Sequence, residues 1–175
     1  MLRFCFVWCL VALGTCLLVG CKDKAKGKAK DEVPKMSRVE AANLSSEADF
    51  AMQMKDFARA EKALARAVQL DPQILIYWLD LGISRRRLGN VDGARNAYQK
   101  ALSICEEEYR QNPKDPTVIL AYVRTLVLLN KAGEAKKLLE KAHQDLPNDR
   151  EIQSYWKTKA VDQMLADPEL KQYIL

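Results

Sequence analysis

Few residues in this 175-residue chain are of types that do chemistry, and their positions restrict what that chemistry is. Five cysteines stand at 5, 9, 16, 21 and 105. The first four lie in or close an apolar opening run, so Cys105 is the one thiol of the body and no disulfide can form there. Cys105 is expected as a partly buried helical residue, because it has neither a histidine neighbour nor the electropositive setting that activates a thiol. His143 is the only histidine, and no cysteine or carboxylate stands at metal-ligand spacing from it. Neither a metal nor a general-base role is expected for it, and no cofactor. A glycine-rich phosphate loop, a nucleophile elbow and paired zinc ligands are all missing from the sequence. The chain is therefore not expected to be an enzyme. What remains is recognition: Arg86, Arg87 and Arg124 carry guanidinium forks that fit carboxylates, or else form an ordinary solvated face. Glu106-Glu107-Glu108 reads as a solvated acidic stripe, with an outward docking surface as the alternative.

The opening run has its own logic. Residues 1–3 are minimally basic, 4–18 are apolar over about the length of a secretory h-region, and the stretch closes with Leu18-Val19-Gly20-Cys21. This closing motif resembles the lipobox of bacterial lipoproteins. The resemblance implies removal of residues 1–20 as a signal peptide, attachment of fatty acyl groups such as palmitate at Cys21, and a protein tethered to a membrane. Cys16 is a weaker match, since Thr15 stands before it. The competing reading is an uncleaved anchor, which the lysines following the run favour by the positive-inside tendency. Lys22 after the cysteine, by resemblance to lipoproteins sorted in two-membrane bacteria, implies the outer membrane, facing the periplasm.

The formal charge of +5 invites a nucleic-acid reading that its distribution opposes. Six lysines against three carboxylates fall between 22 and 37, and Arg3 lies in the leader, so only one net positive charge remains over 38–175. That is too little for a phosphate-binding face, and no nucleic-acid partner is expected. Residues 21–37 read instead as a lipidated, Lys-rich flexible tether, extended by self-repulsion. Contact with anionic headgroups, worth about 1 kcal/mol per lysine near such a surface, is the alternative use.

Stepping from these residues to the elements that hold them, the body is rich in Ala, Leu, Lys, Arg, Glu and Gln, the best helix formers, and periodic. Its clearest unit carries Trp78, Leu81, Gly82, Gly89, Ala94, Tyr98 and Ala101. A shift of 34 residues back lays Ala48, Ala60, Leu64 and Ala67 under Gly82, Ala94, Tyr98 and Ala101. A shift of 41 forward lays Ala135, Leu139 and Ala142 over Ala94, Tyr98 and Ala101. The seven extra residues are close to two helical turns, which predicts a lengthened helix rather than a broken repeat. Asp71-Pro72, Asp115-Pro116 and Asp167-Pro168 each read as an N-cap carboxylate followed by a proline in the first turn. Helices are predicted near 39–54, 57–70, 73–88, 91–111, 116–130, 132–146 and 149–165.

These spacings resemble the tetratricopeptide repeat, with Arg85 where the family has Tyr, Lys55 for a turn glycine and Glu47 for a helix leucine. The resemblance implies an all-α, right-handed α-solenoid of about three helix pairs plus a C-terminal capping helix. Repeats are expected at about 41–74, 75–115 and 116–149, the cap at 149–165 and a tail at 166–175, with 38–165 forming the folded domain. Trp78, Leu81, Gly82, Gly89, Ala94, Tyr98, Ala60 and Ala135 are its packing residues. In that family the first helices line a groove for a protein or peptide. Here the groove candidates are Asp49, Gln53, Leu79, Ile83, Arg86, Arg87, Leu120 and Arg124, beside Ser45, Met52, Val127 and Leu128. Ser45 and Asp49 argue against a clamp for a terminal carboxylate. The function expected is a membrane-anchored protein–protein interaction scaffold or assembly factor of the cell envelope. The alternatives are a self-associating structural subunit and an accessory or regulatory subunit of an envelope enzyme complex.

Overall fold

A computed structural model describes residues 33–175; the leader, Cys21 and most of the tether lie outside the described residues. Three helix pairs follow one another: α1 (Lys35–Gln53) with α2 (Phe57–Leu70), α3 (Leu75–Arg87) with α4 (Val91–Gln111), and α5 (Pro116–Leu128) with α6 (Ala132–Asp145). Then come the shorter α7 (Arg150–Lys157), α8 (Ala160–Ala166) and α9 (Pro168–Lys171). Each helix packs on the next, so the second helix of one pair meets the first helix of the following pair, and α7 and α8 close over α5 and α6. This is an all-α solenoid, with no strand among the described residues. Nor is any helix among them long and apolar enough to cross a membrane.

The turn inside each pair is the same piece of backbone written three times. Lys55, Gly89 and Asn130 all have positive φ, at 59°, 80° and 60°. The next residue in each case donates its N–H back across the helix end: Asp56 to the Ala51 carbonyl at 2.8 Å, Asn90 to Arg85 at 2.9 Å and Lys131 to Leu126 at 2.8 Å. This left-handed closure satisfies carbonyls that the helix end would otherwise orphan. Glycine accepts it freely, whereas Lys55 and Asn130 hold it against steric cost. Two of the second helices are then capped, by the Asp56 carboxylate on the Arg59 N–H and by the Asn90 side chain on the Gly93 N–H.

Helix crossings follow small-against-large packing. Gly82 lies against Tyr98 so closely that a Cβ would overlap the ring, and Tyr98 is fully buried. In the first pair Ala48 and Leu64 take the equivalent places, both buried. Ala60, Ala94 and Ala135 are buried at corresponding sites on α2, α4 and α6, and Leu81 beside them. Trp78 is half-buried, its indole N–H donating to the Pro72 carbonyl at 2.8 Å. Arg85, in the place where an aromatic was expected, reaches across to α2 and pairs with Glu61 at 3.0 Å.

Helix α4 has 21 residues where α2 and α6 have 14 each, so the seven-residue excess is helical. Its extra turns bury Cys105 against α5, with Sγ 3.4 Å from the Thr125 hydroxyl. Burial pushes that thiol up to about 11 despite the Thr125 contact, so it is inert at neutral pH. Tyr109 meets Tyr122 edge-on at 5.9 Å.

Two local expectations change. Asp71 ends α2 instead of starting the next helix; Pro72 occupies a turn, and α3 begins at Leu75 without a side-chain cap. The capping helix expected over 149–165 is broken at Lys159, whose φ of 53° turns α7 into α8 and folds Ile152 and Val161 onto the same core. By contrast, Asp115 and Asp167 do cap their helices, at 2.8 Å to the Thr117 N–H and 2.7 Å to the Glu169 N–H.

Candidate functional site

The first helices α1, α3 and α5 share one face, and their charges reach one another across it. Asp80 on α3 is buried and lies under the influence of Asp49 on α1 and Arg124 on α5. Burial is the larger cause, Asp49 adds to it and Arg124 opposes, raising the Asp80 carboxyl to about 7. One turn further along α3, the Ser84 hydroxyl is buried without a partner. Beside this polar pair lie apolar side chains, Leu79 and Ile83 from α3 and Val127 and Leu128 from α5, with Arg124 at their edge.

This face already holds a stretch of chain. After α9, residues 172–175 lie against the middle of the solenoid. The Tyr98 hydroxyl donates to the Tyr173 carbonyl at 3.0 Å, Arg86 Nε donates to the Ile174 carbonyl at 3.1 Å, and the Leu175 N–H donates to the Leu128 carbonyl at 3.0 Å. Tyr173 and Leu175 pack with the cluster of Leu79, Tyr98, Leu128 and Leu129, and Ile174 with the neighbouring α5–α6 cluster. A hollow of about 250 Å³ remains beside the segment, bounded by Ile83, Arg124, Val127, Met164, Leu170 and Ile174 among others. Tyr98 therefore has two roles: its ring fills the Gly82 crossing, and its hydroxyl faces the groove. Burial, with Asp80 and Tyr173 nearby, raises that phenol well above its ordinary value although Arg86 opposes the shift.

The residues expected to line the groove are sorted by this geometry. Leu79, Ile83, Arg86 and Arg124 come together around the held segment. Leu120 is a buried member of the α5–α6 core. Asp49 and Gln53 are exposed on α1, and only Asp49 acts at a distance, through Asp80. Arg87 departs from the expected cluster: its guanidinium sits 4.8 Å over the Phe57 ring at the start of α2, a cation–π contact that turns it away from Arg86. Reasoning from the sequence missed Asp80, Ser84 and the groove-facing role of Tyr98. It also missed the 172–175 stretch, although Tyr173-Ile174-Leu175 stands as an apolar triplet after a capped helix start.

Elsewhere the chemistry is sparse. The His143 ring stacks on Trp156 at 4.8 Å, its Nδ1 buried and without a partner. Among the described residues no group of three or more His, Cys, Asp or Glu is placed to hold a metal ion. A hollow of about 520 Å³ between α6, α7 and α8 is a seam of the cap, walled by Leu139, Trp156 and Val161 and rimmed by lysines together with Glu140 and Asp162.

Two family models, each described as tetratricopeptide repeat, match residues 46–116 and 94–155. Over residues 46–155 the chain belongs to the tetratricopeptide repeat family. Among solved structures, the chain is similar to the type III secretion chaperone SycD of Yersinia enterocolitica in complex with a peptide of the translocator YopD. That match has 22% identity, covers 79% of this chain and 99% of that one, and has a TM-score of 0.47. It is also similar to the first tetratricopeptide domain of Spaghetti bound to the HSP90 peptide SRMEEVD, at 18% identity, 74% and 96% coverage and a TM-score of 0.46. A search of curated proteins finds no match. Within this tetratricopeptide protein, the repeat signature accounts for Trp78, Gly82, Ala94 and Tyr98.

Proposed function

We propose that this tetratricopeptide protein is a lipid-anchored scaffold or assembly factor of a bacterial cell envelope, holding a peptide segment of another protein on the face shared by α1, α3 and α5. The observation that carries the binding half is the chemistry of that face. Ile83, Leu79 and Leu128 offer apolar contact, and Arg86 and the Tyr98 hydroxyl donate hydrogen bonds to backbone carbonyls lying there. Such donors hold extended chain irrespective of its side chains, and the apolar wells between them select residues. The role is read as binding because the groups that meet the held backbone are hydrogen-bond donors set among apolar side chains.

The anchoring half rests on the Leu18-Val19-Gly20-Cys21 motif and the lysine-rich residues after it. An acyl group at Cys21 fixes the chain to a membrane, and the tether gives the repeats reach from it. Lys22 favours the outer membrane, with the repeats facing the periplasm.

Two measurements test the halves separately. Cells expressing the protein with Cys21→Ala are expected to show no incorporation of labelled fatty acid into it; persistent labelling refutes attachment at Cys21. A photo-crosslinking amino acid placed at Ile83, in the groove, is expected to capture an envelope protein that the same group at exposed Lys100 on α4 does not. Equal capture from both positions, or none from Ile83, removes the groove from the function.

A further inference from the structure

We propose that residues 168–175 are a displaceable latch on the groove, and that the external guest is a peptide carrying an aromatic residue followed by two aliphatic ones. The inference rests on the groove reading above and specifies its regulation and the chemistry of its guest.

Three features of the held segment point to a latch. First, its three anchoring bonds are all made by its backbone: the carbonyls of Tyr173 and Ile174 accept from Tyr98 and Arg86, and the Leu175 N–H donates to the Leu128 carbonyl. The donors and the acceptor come from α4, α3 and α5, so the segment bridges two helix pairs, and any other peptide that adopts the same turn can take over the three bonds. Secondly, the fit is partial. Tyr173, Ile174 and Leu175 are only half-buried, and the hollow of about 250 Å³ beside them is left unfilled. A core element of this protein looks different: Ile152 on α7 is completely buried. Thirdly, the segment is mounted on a short element. Helix α9 has four residues, is capped by Asp167 and packs mainly on α8, so the stretch can swing about 167–168 without disturbing a repeat.

The side chains define what a competitor must offer. Tyr173 and Leu175 enter the cluster formed by Leu79, Tyr98, Leu128 and Leu129, while Ile174 points to the α5–α6 side. The segment is a turn that continues from α9, the Tyr173 and Ile174 N–H groups donating back to the Leu170 carbonyl at 2.9 and 3.2 Å, and this turn sets the two directions. A guest therefore needs an aromatic residue and an aliphatic one two positions later, with an aliphatic residue between them. Arg124 at the edge of the hollow and Arg86 beside the backbone favour a guest with acidic residues nearby. While the latch is seated, the apparent affinity for such a guest is reduced by the fraction of molecules in which the groove is open.

The test uses the purified full chain, a full chain carrying Tyr173→Ala, Ile174→Ala and Leu175→Ala, and a fluorescent nonapeptide of sequence Asp-Pro-Glu-Leu-Lys-Gln-Tyr-Ile-Leu. The nonapeptide is expected to bind the substituted chain at least about tenfold more tightly than the unchanged one, and a scrambled peptide to bind neither. Adding Arg86→Gln to the substituted chain is expected to weaken nonapeptide binding while the helical circular dichroism stays the same. In the unchanged chain, the Leu175 amide is expected to exchange slowly and to lose that protection when the nonapeptide saturates the groove, a readout that does not depend on any variant folding. Equal affinity of the nonapeptide for both chains, no binding to the substituted one, or an unprotected Leu175 amide in the unchanged chain overturns the proposal. A concentration-dependent dimer abolished by the three substitutions also overturns it, because the segment would then sit in a second copy. Nonapeptide binding to the opened chain without any crosslink from Ile83 to an envelope protein supports the latch and sinks the wider scaffold reading. Unchanged crosslinking in all forms with no nonapeptide binding does the reverse.

Discussion

The two sides of α3 obey different rules. Towards α4 its contacts are a packing code: Gly82 is small because the Tyr98 ring must pass it, while Tyr77 and Leu81 fill the core that α3 shares with α1 and α2. Elsewhere the same helix carries Asp80 and Ser84, buried polar groups that its own fold does not need, and Arg86, which holds the Ile174 carbonyl. A buried carboxyl lifted towards neutrality and a hydroxyl without a partner both cost stability. The contrast teaches that the crossing is shaped for folding and the inner face for something held against it.

Four measurements break or sharpen this contrast. The largest effect is expected at the crossing: Gly82→Ala puts a methyl group into the Tyr98 ring, in a core with nowhere to move it, and lowers stability by about 3 kcal/mol in urea denaturation. A loss under about 0.5 kcal/mol would mean that the crossing is loose and the distinction false.

On the inner face the sign reverses. The Asp80 carboxyl is raised in the folded chain above its unfolded value of 3.8, to about 7. Below about pH 4 both states hold the proton and no penalty exists. Between about 4 and 7 the unfolded chain ionises first, so folding stability falls as pH rises, and above about 7 the penalty is complete. Asp80→Asn is therefore expected to stabilise the protein by about 1–3 kcal/mol at pH 8 and to be nearly neutral at pH 4. The difference between the two denaturation curves across this range is the readout, and a destabilised Asn variant at pH 8 would show that the carboxylate has a favourable partner.

Tyr98 belongs to both sides, and Tyr98→Phe separates them. The ring still fills the crossing, so the loss is limited to the bond to the Tyr173 carbonyl, about 0.5–1 kcal/mol, and appears mainly as faster exchange of the Leu175 amide. A loss as large as that from Gly82→Ala would assign the hydroxyl to folding. The smallest effect lies away from both faces, in the repeated turn: Lys55→Gly relieves a left-handed residue and is expected to raise stability by about 0.5–1 kcal/mol, detectable as an upward shift in thermal midpoint.

This division also explains what was legible from residue order. The crossings were readable because they recur: alanines at 60, 94 and 135 and the turn residues at 55, 89 and 130 keep the 34- and 41-residue steps whatever the surface does. The inner face has no such recurrence. Asp80 looked like an ordinary helix carboxylate, and nothing local reveals that Asp49, thirty-one residues earlier, faces it. Arg87 seemed a natural companion of Arg86, yet successive residues on a helix diverge by about 100° and Phe57 offered a ring. The 172–175 stretch was hidden because its partners lie far back in the chain, Arg86 being 88 residues before Ile174. Asp71-Pro72 misled for a different reason: the same dipeptide that opens a helix also serves as a turn, and the Trp78 indole holds the Pro72 carbonyl in the second role.

The length of α4 has an architectural consequence. Seven residues advance a helix by about 10 Å while returning its side chains to within about 20° of their former azimuth. A helix of the solenoid is thus free to lengthen in heptad quanta without re-aiming its side chains, as Cys105 and Tyr109 reaching α5 illustrate. Fractional steps are forbidden, since five added residues swing the far end by about 140° and point those same side chains into water. A solenoid of this kind can therefore change the length of a helix without changing the chemistry of its inner face.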